Sequence, residues 1–466
     1  MRIGILTSPD RFGLAAPSKA WEAFETGCLA PLKLSDCYIA DASKREPIPS
    51  DVTKVLLLGP KAVDVVFPGR ELDKIRGTPI RQGRFTFIAS YHPDNAQDQE
   101  RGWLDDEISN DAAFEQKDTA LTQPSNYFFW LRSDTHKLLS PPRTPSQPFK
   151  FVTAPNLDQF LAYVEAKLKS GVTYTYVDIE CRREDHCLNC IGLALDGGTI
   201  FVLPIYAFTN QRYYGAAWKI LVALGRLFAR STVVVHNSLF DLFVLARYYR
   251  VPIGGKVFDT MLAHHRIHPE VEKSLGHVIS YWTDLPFHKD QNIERPRSGA
   301  QQAQLWEYNA KDIYSMREVH LAQLEFLTEH PDYAASVAQA NREVYPYLLC
   351  QLRGLRVDED LLNKLRKEKT RRVANLRRIA ITLSGVKNFN PGSAKQCIDF
   401  FHGTLKYEVV ARTEAGAPKM DQKALYKLRL KNNNPLLDVI IAYRIVAKEL
   451  SMLQFNDYTP PHYESI

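Results

Sequence analysis

The sequence has no apolar run long enough to cross a membrane, and its first ten residues lack the apolar stretch of a signal peptide. It has only seven cysteines in 466 residues, an odd number that does not suit a disulfide framework. Neither sign of charge dominates, because the formal net charge is only +6. These absences predict a cytoplasmic protein with reduced thiols and no membrane partner, and they leave a polyanionic partner open.

The length and the 45% hydrophobic content fit a chain of about three domains with real cores. Residues 140–148 contain four prolines in nine positions, which predicts a linker. Short apolar strands alternate with helical stretches in residues 1–139, so we expect an N-terminal α/β domain there. A second α/β domain is expected over 149–335, and a helical region over 341–466.

Two acidic residues lie in the run Tyr174 to Glu180, which is rich in residues that favour strands. Asp178 and Glu180 are two positions apart, and successive side chains of a strand point to opposite faces. Both carboxylates are therefore predicted to lie on one face of a sheet.

Two further acidic residues each end a pair with four-residue spacing, namely Asn237 with Asp241 and Tyr308 with Asp312. A helix places residues four apart on a common face, one turn from each other. Four carboxylates could therefore converge from three elements.

Convergent carboxylates are the ligands that Mg²⁺ or Mn²⁺ prefers, and two such ions can drive hydrolysis of a phosphodiester. We assign Asp178 to bridging both ions, Glu180 and Asp312 to the tighter site, and Asp241 to the second site, largely through water. Tyr308 would position the attacking water.

These motifs resemble the DnaQ-like 3′-to-5′ exonucleases that carry a tyrosine four residues before the last aspartate. The resemblance extends through residues 257–262 and 273–278, in the order expected of proofreading domains of family A DNA polymerases. It implies an RNase H-like exonuclease core that removes nucleotides from single-stranded or frayed 3′ ends of DNA. A lone Asp-x-Glu pair is usually a solvated surface pair, so the ordered set carries this expectation.

Several residues near the motifs are candidates for nucleic-acid binding. Asn237 could hydrogen-bond the terminal nucleotide or order the start of a helix, and Phe240 could contact DNA or pack the helix onto the sheet. Single-strand binding uses aromatic platforms, although aromatics near strands are more often part of a core. The further aromatic candidates are Tyr206, Phe208, Tyr213 and Tyr214.

The densest basic run extends from Arg353 to Arg378 and includes Arg371 and Arg372. It predicts a helix face that follows a nucleic-acid backbone, with a solvated helix face as the alternative.

The first domain resembles the uracil-DNA glycosylase superfamily, with an α/β/α fold implied. The resemblance runs from residues 55–62 to His92 and Pro93, which match the superfamily's second active-site motif. The first motif departs from the pattern, because Thr7-Ser8-Pro9-Asp10 keeps the proline and lacks the glutamate. We therefore expect a degenerate site at Thr7, Pro9 and His92, in a module that holds DNA or docks a protein.

Cys181, His186, Cys187 and Cys190 follow the first acidic motif closely. One Cys-x-x-Cys pair can suit zinc, but ordinary reduced cysteines fit the same pattern.

The third region resembles the opening of a family A polymerase domain, through residues 352–358 and the thumb-like segment 389–396. The acidic palm motifs and the lysine-bearing fingers helix have no counterpart, so we expect no polymerase activity from this chain. We expect instead the proofreading part of a split polymerase, as in divided viral or mobile-element replicases. Its partner would be a separate subunit that carries the palm and fingers. The alternatives are an independent DNA-repair or RNA-trimming exonuclease and a non-catalytic docking subunit.

Overall fold

The computed structural model describes residues 2–7, 19–93, 126–207, 209–289, 296–354, 356–412 and 416–453. The chain divides into two compact units, Met1–Arg353 and Gly354–Ile466. Each described helix is too short or too polar to cross a bilayer.

The first unit opens with a five-stranded sheet in the order β2-β1-β3-β5-β4. All neighbours are parallel except β4 and β5, which are antiparallel. The strands are β1 (Arg2–Thr7), β2 (Tyr38–Asp41), β3 (Val52–Leu58), β4 (Ile80–Gln82) and β5 (Phe85–Ser90). The central strand β3 is an apolar run, as expected for a parallel strand that is buried on both faces.

Helices cover both faces of this sheet. On one face Ile3 and Leu56 pack with Trp21 and Leu131. On the other face Val55 and Leu57 pack with residues of two helices, Pro60–Val66 and Leu72–Ile75. The helices are α1 (Lys19–Phe24), α2 (Pro60–Val66), α3 (Leu72–Ile75) and α4 (Asn126–Leu139), and α1 continues into a π-helical turn at Glu25–Leu29. Short 3₁₀ turns occur at Leu34–Asp36 and Ala42–Lys44. This layering is α/β/α.

The second sheet of this unit has six strands in the order β11-β10-β7-β8-β9-β6. Strand β8 is antiparallel to both of its neighbours, and the other pairs are parallel. The strands are β6 (Phe151–Thr153), β7 (Tyr174–Cys181), β8 (Leu188–Leu195), β9 (Ile200–Pro204), β10 (Thr232–Val235) and β11 (Lys256–Asp259). The mixed α/β architecture is consistent with an RNase H-like exonuclease fold.

Alternation along β7 separates two cores. Val177 and Ile179 pack on the side of Phe160, Leu224 and Leu242, whereas Tyr176 packs on the side of Ile313. The helices of this part are α5 (Leu157–Ser170), α6 (Trp218–Phe228), α7 (Ser238–Tyr249), α8 (Thr260–Ile267), α9 (Leu275–Trp282), α10 (Gly299–Glu329) and α11 (Pro331–Arg353). Asp178 and Glu180 share the face of Tyr176, so they face α10.

The second unit is helical, with α12 (Glu359–Ser384), α13 (Ala394–Ile398), a π-helical turn (Asp399–Thr404), α14 (Gln422–Lys431) and α15 (Pro435–Met452). Its core includes Phe389, Phe401, Leu425 and Leu437. Lys369 on α12 pairs with Glu449 on α15 at 2.6 Å, inside this unit.

Two predicted domain boundaries do not coincide with the boundary between the two compact units. Residues 140–148 form neither helix nor strand, but Arg143 donates its backbone N–H to Asp284 at 2.7 Å, so the segment is fastened to the first unit. The predicted start of the third region at 341 lies inside α11. The first unit extends to Arg353 because Val344 and Leu348 on α11 complete its core.

Candidate active site

The acidic site is built first from β7, which lies between β10 and β8 in the middle of the six-stranded sheet. Asp178 and Glu180 are on the same face of this strand, as the spacing predicted. The residue opposite Asp178 on β8 is Gly192, and the residue opposite Glu180 is Cys190. A strand therefore presents two carboxylates at fixed separation toward the helix above it.

The third carboxylate comes from α10, a helix of 31 residues that crosses this face. Ligand atoms of Asp178, Glu180 and Asp312 all lie within 4.8 Å of one another. Tyr308 is one turn earlier on the same helix and is buried. The predicted convergence of strand and helix is therefore present for three of the four acids.

The fourth acid lies beside this cluster but outside the set of three. Asp241 is buried in the first turn of α7, and its carboxylate accepts the backbone N–H of Ile179 at 3.2 Å. The helix begins at Ser238, and Asn237 precedes it in a left-handed conformation with φ of 69°. Asn237 and Asp241 therefore do not both lie in the helix, contrary to the prediction from their four-residue spacing. Asp259 accepts the backbone N–H groups of Asn237 and Ser238, which orders this turn.

Asn309 holds the carboxylate of Asp178. Its side-chain amide donates to Asp178 Oδ2 at 2.7 Å and to the backbone carbonyl of Asp178 at 3.3 Å. The opposite residue on β8 leaves room for this contact, because a Cβ on Gly192 would lie 2.5 Å from Asn309 Oδ1. A glycine inside a strand often marks such a close approach, so this signal was available in the sequence.

Two residues that the sequence analysis missed, His288 and Lys289, contact Asp312. His288 Nε2 lies 2.7 Å from Asp312 Oδ1, and Lys289 Nζ donates to Asp312 Oδ1 and Oδ2 at 2.7 and 2.6 Å. Lys289 also donates to the Tyr308 hydroxyl at 2.7 Å. They follow α9 in a loop without a motif, so no pattern in the chain pointed to them.

Burial and neighbouring charges shift the pKa values of the carboxyl groups in this site. Burial raises the pKa of Asp178 to about 7, and the Asp312 carboxylate adds to the rise. Burial, followed by the charge of Asp178, also raises the pKa of Glu180 and that of Asp241 well above their usual ranges. Burial alone would raise the pKa of Asp312, but the Lys289 ammonium and the His288 hydrogen bond hold it below its usual range.

This donor set fits a hard divalent cation. Oxygen ligands suit Mg²⁺ or Mn²⁺, and acids whose pKa is raised by burial and mutual repulsion bind a cation with release of protons. The cysteine and histidine set from the end of β7 to the start of β8 differs. Among the described residues, no three ligand atoms of Cys181, His186, Cys187 and Cys190 lie close enough together to hold one ion. All seven cysteines are free thiols.

The remaining predicted residues are distributed over several surfaces. Phe240 and Tyr213 are exposed to 41% and 45%, whereas Tyr206 and Tyr214 are half-buried and Phe208 lies outside the described residues. Arg371 and Arg372 are exposed on α12 of the second unit.

The predicted N-terminal site is described only in part. His92 Nε2 lies 2.9 Å from the hydroxyl of Thr7, and both residues are buried. They lie at the carboxyl ends of β1 and β5, the edge at which parallel sheets bind ligands. Pro9 lies outside the described residues.

Residues 155–323 match the family described as 3′-5′ exonuclease. The chain therefore contains a 3′-5′ exonuclease domain. The four acids of the site, Asp178, Glu180, Asp241 and Asp312, lie within these residues, as do Asn309, His288 and Lys289.

DNA polymerase I of Synechocystis sp. is 27% identical to the chain over 233 residues, which are 46% of this chain and 22% of that relative. The chain thus matches about a fifth of the relative's length. Among solved structures, the POL domain of Pol1 from M. smegmatis, in complex with DNA primer-template and dNTP, has 16% identity and a TM-score of 0.45. That similarity covers 65% of this chain and 49% of that chain.

Proposed function

We propose that the exonuclease domain hydrolyses DNA phosphodiesters at a 3′ end with two Mg²⁺ or Mn²⁺ ions held by Asp178, Glu180, Asp241 and Asp312. The observation that carries the proposal is the approach of three carboxylates within 4.8 Å inside the segment that matches the exonuclease family. Carboxylates this close repel one another, and Asp312 is buried, so the group has a cost that bound cations would offset.

The roles follow from position. Asp178 would contact both ions, and the hydrogen bond from Asn309 to its Oδ2 fixes the orientation of its carboxylate. Glu180 and Asp312 complete the tighter site, and Asp241 would reach the second site through water. Cations held by these acids would supply a hydroxide nucleophile and stabilise charge on the attacking and leaving oxygens. The hydroxyl of Tyr308 would orient the attacking water.

The reaction class can be tested with a 5′-labelled DNA primer that is paired or mismatched at its 3′ end. A ladder that starts at the 3′ end, grows with Mg²⁺ or Mn²⁺ and disappears with EDTA is expected. Asp178→Ala/Glu180→Ala should abolish it, whereas Asp158→Ala, an exposed acid in the first turn of α5, should retain it. Equal activity in the double variant would remove the assigned site.

Proofreading in a split family A polymerase is the context we propose for this activity, with DNA as the substrate. The relationship to DNA polymerase I supports it. The same acidic chemistry also serves RNA trimming, so matched DNA and RNA strands should be compared, because a site distinguishes them through the 2′-hydroxyl. A preference for RNA would favour the trimming enzyme, and faster removal of mismatched DNA ends would favour proofreading.

The two flanking regions would serve DNA or partner binding. Exposed basic residues on α12 supply a surface for phosphates, and they include Lys364, Lys367, Arg371, Arg372 and Arg378. The pair Thr7 and His92 would belong to a module that holds DNA or docks a protein without excising a base. Binding of a palm and fingers polypeptide to the purified chain, measured by calorimetry, tests the split arrangement directly.

A further inference from the structure

Lys289 directs its ammonium group into the acidic site. Its three N–H donors match three acceptors, since Nζ lies 2.7 Å from Asp312 Oδ1, 2.6 Å from Asp312 Oδ2 and 2.7 Å from the Tyr308 hydroxyl. The ammonium also lies 4.5 Å from the centre of the Tyr308 ring. The side chain is 22% exposed, so it is held inside the site without being sealed from solvent.

The Asp312 carboxylate that Lys289 contacts already takes part in several hydrogen bonds. A carboxylate offers about four lone pairs on its two oxygens. Oδ1 of Asp312 receives both His288 and Lys289, and Oδ2 receives Lys289. Asp312 therefore has little acceptor capacity left while Lys289 stays in place.

The same carboxylate belongs to the cluster that suits a divalent cation. A cation bound there would share Asp312 oxygens with the ammonium of Lys289. Asp312 is only 3% exposed, and two positive charges repel more strongly in such a poorly hydrated position than in water. Binding of the cation and retention of Lys289 at Asp312 are therefore opposed.

We propose that Lys289 competes with the divalent cation for the oxygens of Asp312. Lys289 has to withdraw its ammonium group before the metal site is complete. The proposal rests on the proposed two-metal function. His288 differs, because it contacts only Oδ1 and can keep Asp312 oriented as Lys289 leaves. Lys289 would thus set the cation concentration at which the site becomes loaded.

The test is direct measurement of Mn²⁺ affinity by titration calorimetry and by electron paramagnetic resonance, with no DNA present. Lys289→Met keeps the apolar stem and removes the charge, whereas Lys289→Arg keeps the charge. Lys311→Met is the matched control, because Lys311 is next to Asp312 in the sequence and its loss also removes one positive charge. The ammonium of Lys311 pairs with Glu307 at 2.8 Å. Thermal unfolding in EDTA reports the metal-free state of each protein.

Lys289→Met should bind Mn²⁺ about tenfold more tightly than the wild type, the size of change usual for a group that contacts a metal ligand. Its melting temperature in EDTA should fall, because the acids lose their counter-ion, and Mn²⁺ should raise that temperature by more than in the wild type. Lys289→Arg and Lys311→Met should stay within about threefold of the wild type. A variant that is merely damaged would not gain affinity.

Unchanged or weaker Mn²⁺ binding by Lys289→Met overturns the proposal. If the wild type still degrades a primer in that case, the proposed exonuclease function stands and only the role of Lys289 fails. If neither protein binds Mn²⁺ in a manner that Asp178→Ala abolishes, and neither degrades a primer, the proposed function fails as well.

Discussion

Asn309 donates its side-chain amide to Asp178 Oδ2 at 2.7 Å, across the space between α10 and β7. This contact fixes the orientation of the Asp178 carboxylate and uses one acceptor position of Oδ2. It depends on Gly192 of β8, whose missing side chain leaves the space that the amide occupies.

Asn309→Leu keeps the size of the side chain and removes the donor. We expect metal affinity and exonuclease rate to fall about 10- to 100-fold, as they do when a hydrogen-bond partner of a metal ligand is lost. Mn²⁺ titration and single-turnover degradation of a labelled primer measure the two effects. Gln304→Leu, an exposed change on the same helix, should leave both near the wild-type values. Wild-type affinity in Asn309→Leu would contradict a positioning role.

Gly192→Ala should destabilise the protein and impair the site together. The new Cβ would lie 2.5 Å from Asn309 Oδ1 and 2.7 Å from Ile313 Cγ1, so we expect a loss of about 1–3 kcal/mol from overpacking. Chemical denaturation measures this loss. Gly215→Ala is the control, because nothing lies within 4 Å of its added Cβ.

The second test of Gly192 is a double variant. Adding Asn309→Ala to Gly192→Ala removes the atom that the methyl group meets, so the stability losses should be less than additive. Strict additivity would show that Asn309 is not what limits the space at this position.

Stabilisation by metal should depend on pH. The pKa of Asp178 is about 7 in the folded protein, against an ordinary value of 3.8. Between these values the folded metal-free protein binds more protons than the unfolded chain, so the contribution of Asp178 to stability grows as pH falls through 7. A cation needs the ionised form, so Mn²⁺ should raise the melting temperature more at about pH 8 than at about pH 6. Equal shifts at both pH values would argue against this linkage.

The ion pair between Arg76 and Asp134 should be critical for the first unit. The side chains are 2% and 0% exposed, and Arg76 also donates to Ser280 Oγ on α9 at 2.6 Å. Removing one partner leaves a buried charge, so Arg76→Met should cost about 3–5 kcal/mol in chemical denaturation. Lys74→Met breaks an exposed pair with Glu71 and should cost less than about 1 kcal/mol. Similar costs for both variants would show that the buried network adds no more than a surface pair.

The exposed basic surface of α12 should contribute to DNA affinity without sequence preference. Arg371→Ala/Arg372→Ala should weaken binding to primer DNA and reduce the slope of log K against log salt by about two. Lys167→Ala/Lys169→Ala, a matched double change on α5, should leave that slope near the wild-type value. Fluorescence anisotropy at several salt concentrations measures both. An unchanged slope in the α12 variant would assign that basic run to a solvated helix face.

Much of the acidic site could be predicted from local spacing. The two-residue interval from Asp178 to Glu180 and the four-residue interval from Tyr308 to Asp312 are properties of a strand and a helix, and the structure has a strand and a helix there. The interval from Asn237 to Asp241 predicted a single helix and was wrong at its first residue, because Asp259 captures the backbone N–H groups of the turn.

The sequence by itself determined which residues carry acidic chemistry, because periodicity and residue type act over a few positions of the chain. Only the tertiary structure decided that Lys289 reaches Asp312, that Gly192 makes room for Asn309, and that Arg76 joins Asp134 to Ser280. Each of these contacts joins residues far apart in the chain, or depends on strand register. Packing, rather than local propensity, sets which of such distant groups share one buried space.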